Sequence, residues 1–65
     1  MASPKKNLIA ARKTTGYKQE FIARRANITT RHYRALESGK SEGSLAVWKK
    51  LSELFGKTLD ILTEE

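Results

Sequence analysis

Sixty-five residues make one small domain, close to the lower limit at which a single apolar core holds a fold unaided. The chain has no cysteine and one histidine, His32, which excludes a disulfide framework and argues against a protein-only metal site or cofactor; none is expected. The net charge of +6 is uneven, +8 over residues 1–40 and −2 over residues 41–65, and such asymmetry points one end of the molecule at a polyanion.

Helix formers dominate, and no strand-length run alternates apolar with polar residues, so the fold class is all-α. Residues 1–4, with the single proline Pro4, read as a flexible tail, and residues 5–65 as the domain. A first helix is expected over residues 5–13, with Leu8 and Ala11 inward, stopped by Thr14-Thr15-Gly16. A second should span residues 18–25, burying Ile22, Ala23 and Ala26. Asn27 follows where a sharp turn needs positive φ, which Asn tolerates better than any residue but Gly. Ile28 plugs that corner, and Thr29 is a good N-cap for a third helix ending at Ser38-Gly39. Helix, short turn with a left-handed residue, helix: this is the helix-turn-helix pattern.

Lys40-Ser41-Glu42-Gly43 reads as a loop, after which Ser44 caps a fourth helix. Leu45, Trp48, Leu51, Ser52 and Phe55 follow helical spacing there and are expected inward. Gly56 stops it, Thr58 caps a short fifth helix, and Leu59 and Leu62 pack back onto the core. No apolar run is long enough for a membrane span or a signal peptide, so a soluble, cytoplasmic protein is expected.

From Leu8 to Leu62 the sequence resembles the Xre family, the Cro and lambda-repressor type of helix-turn-helix protein. Gly16-Tyr17-Lys18-Gln19-Glu20 is similar to that family's approach to its second helix, and Ile22-Ala23 to its Leu-Ala. Asn27-Ile28-Thr29 resembles its Gly-Ile-Ser turn, and Leu36-Glu37-Ser38-Gly39-Lys40 its Ile-Glu-x-Gly-Lys. Ser44-Leu45, Leu51, Gly56 and Thr58-Leu59-Asp60 resemble its C-terminal half. The shared order and spacing carry the resemblance. Lys18 stands where that family has a Ser or Thr cap, a loss of about 1 kcal/mol. Ser41-Glu42-Gly43 replaces the basic or proline residues common after Gly-Lys.

The resemblance implies a compact five-helix, lambda-repressor-like domain that binds double-stranded DNA, with the third helix in the major groove. Thr30, Arg31, Arg34 and Ala35 then face the bases, while Tyr33 and Leu36 face the core. Arg31 has the planar fork that suits guanine O6 and N7, with a phosphate contact as its other reading. Arg34 suits a base edge and the backbone equally. Gln19 matches a family residue that hydrogen-bonds phosphate, and Lys18, Thr29, His32 and Lys40 are further backbone candidates. Arg12 and Glu37 match positions that form an internal ion pair in that family, which makes Arg12 structural here. Val47, Leu54 and Ile61 are expected to contribute a homodimer surface, since no separate dimerisation domain is evident.

A transcriptional regulator, foremost a repressor, is therefore the first expectation. An antitoxin or mobile-element accessory factor, with a second protein partner on its apolar surface, is an alternative, as is a protein-interaction adaptor. No enzyme is expected, because no paired carboxylates share a face and no nucleophile–base pair presents itself.

Overall fold

The computed structural model describes residues 4–64. Of the expected tail at residues 1–4, residues 1–3 lie outside the described residues, as does Glu65. Five helices follow in chain order: α1 Lys6–Thr15, α2 Gln19–Arg25, α3 Thr30–Ser38, α4 Leu45–Phe55 and α5 Leu59–Thr63. The helix-turn-helix is α2 and α3.

α1 runs two residues further than its sequence suggests. Thr14 Oγ1 donates to the Ala10 carbonyl at 2.8 Å and Thr15 Oγ1 to that of Arg12 at 2.8 Å, so both threonines bond back into the helix instead of breaking it. Termination waits for Gly16. α2 starts one residue late, at Gln19, because Lys18 is extended and offers no side-chain cap. Its other end closes in a Schellman arrangement: Asn27 N–H donates to Arg24 O at 3.1 Å and Ile28 N–H to Ala23 O at 2.9 Å. Asn27 sits at φ 61°, the one non-glycine with positive φ among the described residues.

Thr29 accepts from His32 N–H at 3.0 Å to start α3. Ser44 and Thr58 cap α4 and α5 the same way, accepting from Val47 and Ile61 N–H at 3.3 Å each. Past α4, Ser52 Oγ donates to the Lys57 carbonyl and fixes the α4–α5 turn.

Every helix buries a stripe. Leu8, Ile22, Tyr33, Leu36, Leu51 and Leu62 are fully buried, with Ala11, Ala23, Ala26, Val47, Trp48 and Phe55 around them. Ile28, Leu54 and Leu59 pack against this core from its edge. A domain of this size has about 3–10 kcal/mol of stability. Truncating one such leucine costs about 2–5 kcal/mol, so a single core position commands a large share of the total.

Two expectations for α4 are corrected. Val47 is buried at 8% exposure and Leu45, expected inward, is 63% exposed. At about 100° per residue, Val47, Trp48, Leu51 and Phe55 fall within one quadrant-wide stripe, and Leu45 lies about 105° from its centre. The true stripe is thus rotated toward Val47. Leu54 sits at its margin, half-buried. Val47 therefore belongs to the core and is withdrawn from any dimer surface.

Glu37 is the buried carboxylate, 6% exposed at the end of α3. Arg12 on α1 reaches it side-on, Nε to Oε2 at 2.6 Å and Nη2 to Oε1 at 3.3 Å. Donation to Glu37 holds the Arg12 guanidinium above its ordinary pKa, against the opposing effect of burial. The Glu37 carbonyl also accepts from Lys5 N–H at 2.8 Å, so the chain is anchored before α1 begins.

Tyr33 lies beside this pair, and its buried hydroxyl makes no hydrogen bond. Burial, then the neighbouring Glu37 carboxylate, pushes the phenol well above its ordinary value. A phenol that keeps its proton in the fold while the unfolded chain loses it adds stability that is complete below about pH 10. That stability is lost as pH rises through the folded value, at about 1.4 kcal/mol per unit. Tyr33→Phe should flatten this alkaline loss in urea titrations above about pH 10. At neutral pH it should be neutral or stabilising, by up to about 1–2 kcal/mol, because it removes a buried hydroxyl without a partner.

The Lys40–Ser44 loop is pinned by Trp48, whose Nε1 donates to the Glu42 carbonyl at 2.6 Å. Gly43, at φ 70°, lies so close that a Cβ would meet Leu36 Cδ2 at 2.7 Å and Trp48 Nε1 at 3.2 Å. Gly56, at φ 66°, has nothing within 4 Å of such a Cβ. Gly56→Ala should cost only the backbone strain of about 1 kcal/mol. Gly43→Ala adds overpacking of about 1–3 kcal/mol, and the difference in urea midpoint measures that contact.

Candidate nucleic-acid interface

The Schellman turn throws α3 across α2, and the two burial stripes fix how α3 rotates. Tyr33, Leu36 and Glu37 are buried, which turns Arg31 and Arg34 fully outward, with Ala35 and Ser38 half-buried between them. Thr30 lies at the margin of this face, also half-buried. Arg31, Arg34, Ala35, Ser38 and Lys40 line one open depression of about 520 Å³. Three cations and no carboxylate border it, so it is an electropositive surface with small residues at its floor.

Ser38 is the member that sequence reasoning missed. It lies seven residues, nearly two turns, after Arg31, so extending the outward face past Ala35 would have found it. Its hydroxyl donates to the Ala35 carbonyl at 3.1 Å and leaves its oxygen free to accept.

Around this face sit the expected backbone contacts. Lys18 and Lys40 are exposed at the start of α2 and just past the end of α3. Thr29 is exposed too; its oxygen is used in capping, and its hydroxyl proton is still free to donate. His32 is half-buried, with Nε2 3.4 Å from Ser41 Oγ, which ties α3 to the following loop.

Gln19 is more engaged than a simple phosphate ligand. Its Nε2 donates to Glu37 Oε1 at 3.0 Å, and its Oε1 accepts from Arg34 Nε at 3.1 Å. Only this amide orientation satisfies both neighbours, since reversing it would oppose oxygen to carboxylate and N–H to N–H. The outward Arg34 is thereby joined through Gln19 and Glu37 to Arg12.

The three expected dimer residues do not come together. With Val47 in the core, Leu54 borders a small depression with Arg25, Lys50 and Glu53. Ile61, 43% exposed, lines a separate one with Asn7, Ala10, Thr14, Phe55 and Lys57. A tilted aromatic pair, Tyr17 and Phe21 with centroids 4.9 Å apart, stands exposed on a third region. Among the described residues no helix is long and apolar enough to cross a membrane.

Comparison with known proteins agrees with this geometry. No curated protein and no solved structure gives a significant match. The helix-turn-helix family model matches residues 8–62, from the first fully buried leucine to the last, and so spans all five helices. The chain belongs to the Xre-like, Cro/C1-type helix-turn-helix family of DNA-binding regulators.

Proposed function

We propose that the protein is a sequence-specific transcriptional repressor that lays α3 in the major groove and blocks its operator by occupying it. The observation that carries this reading is the face of α3: Arg31, Arg34 and Lys40 around small Ala35 and Ser38, with no carboxylate among them. Small residues let the helix approach the base edges, while the flanking guanidiniums supply paired donors for guanine O6 and N7. Arg31, exposed on the outward face, reads a base edge, and Thr30 and Ala35 add a hydrogen bond and a methyl contact beside it. Lys18, Thr29, His32 and Lys40 hold the phosphates on either side, setting the register that base contacts need.

On this reading the protein binds as a homodimer on two half-sites about one helical turn apart, in the cytoplasm. Ile61 is the member of the expected dimer set that remains well exposed and suited to that contact.

A selection from random duplex DNA at near-physiological salt tests the proposal. A paired motif with half-sites about ten base pairs apart is the expected result. Recovery of bound DNA with no motif, or no binding at all, would sink it and shift attention to a protein partner. Within a recovered motif, Arg31→Ala should erase one base preference worth roughly 1–3 kcal/mol. Lys40→Ala should instead weaken all sequences alike and lower the salt slope of log K by about 1, as loss of one phosphate contact does.

A further inference from the structure

We infer that Gln19 is a positioning residue for sequence recognition, holding Arg34 as a pre-oriented base reader. This rests on the DNA-binding reading above and assigns a specific role within it. Arg34 is fully outward, and a long, solvent-exposed arginine ordinarily samples many rotamers. Here its Nε donates to Gln19 Oε1 at 3.1 Å. Gln19 is itself fixed from behind, because its Nε2 donates to the buried Glu37 carboxylate at 3.0 Å. Glu37 is in turn clamped by two bonds from Arg12. The chain of bonds therefore runs from a buried ion pair on α1 and α3, through α2, to the tip of the outward face.

The choice of nitrogen matters. With Nε occupied, the two terminal amino groups of Arg34 keep all four of their N–H donors, side by side. That pair matches the O6 and N7 acceptors of guanine, or two oxygens of one phosphate. Arg34 lines the depression on the α3 face with Arg31, Ala35, Ser38 and Lys40, which puts the free fork on the base-reading side. Ordering the side chain before DNA arrives removes an entropic cost that Arg31 still bears on binding. The position that sequence chemistry left open between base and backbone is thus assigned to the base.

Gln19→Lys separates the two halves of the bridge. An ammonium still donates to Glu37 but has no acceptor for Arg34 Nε. In a duplex-DNA selection the wild-type protein should show one base preference that Arg34→Ala erases. Gln19→Lys should weaken that same preference roughly tenfold, leave the other positions as they were, and keep the melting temperature. Combining Gln19→Lys with Arg34→Ala should lose no more than Arg34→Ala alone, since the two changes act through one contact. Gln19→Leu, which keeps bulk and adds no charge, should reproduce the loss and guards against a folding defect peculiar to lysine.

If Gln19→Lys and Gln19→Leu shift affinity for every sequence equally, Gln19 only touches backbone and the inference is wrong. The same holds if Arg34→Ala erases no preference. If the wild-type protein recovers no motif, the proposed function fails together with this inference; a motif whose Arg34-dependent preference keeps its full strength in both Gln19 variants refutes the inference alone.

Discussion

A carboxylate in the interior of a 65-residue domain is costly unless it is fully answered, and Glu37 is answered from two neighbouring helices. Arg12 supplies two charge-assisted bonds from α1 and Gln19 a third from α2, while the residue belongs to α3. Its backbone carbonyl takes Lys5 N–H as well, so the chain leading into α1 is tied to the same point. Hydrophobic burial is non-directional and would tolerate some sliding of α3 on its neighbours. The bonds to Glu37 have fixed lengths and angles, and remove that freedom. They register α3 against α1 and α2, and the register decides which residues the protein shows to a ligand.

The region around Glu37 also shows what this precision costs. Tyr33 fills the space beside the ion pair with a hydroxyl that has no hydrogen-bonding partner. Its ring is fully buried and so makes a large apolar contribution to the core. The polar atom at its edge subtracts from that contribution. The pair of Arg12 and Glu37 therefore works in surroundings that are apolar on one side. Removing Arg12 would leave Glu37 with only the Gln19 amide, which cannot balance a full charge.

Much of this was legible in the sequence because the informative residues have few alternatives. Asn27 between two apolar-periodic segments had to be a left-handed turn residue, and Gly39, Ser44, Gly56 and Thr58 punctuate the chain where the helices stop and start. The outward placement of Arg31 and Arg34 followed from the periodicity of Tyr33 and Leu36. The end of α1 was not legible: Thr14 and Thr15 signal a stop by propensity, yet each finds a carbonyl of its own helix. The α4 stripe was misplaced because Leu45 fits helical spacing with Trp48, Ser52 and Phe55 as well as Val47 does with Leu51 and Phe55. Only the position of the neighbouring helices separates those choices, and Leu45, in the first turn of α4, has none over it. Gln19 could be recognised as polar and near DNA, but its two bonds span 18 and 15 residues and no local pattern encodes them.

Residues 1–40 carry +8, yet Arg12 is spent inside the fold, and Arg34 is partly satisfied by Gln19 without being neutralised. Beyond Glu37, residues 1–40 hold one further acid, Glu20, and repulsion within this excess of cations opposes compaction of a domain with little stability in reserve. A polyanion relieves that repulsion, so binding and folding reinforce each other: whatever binds the native face but not the unfolded chain stabilises it by mass action. The buried pair supplies registry in the absence of that ligand. A helix face that is electrostatically strained when empty can thus be held in its binding geometry by one internal carboxylate and the glutamine that leans on it.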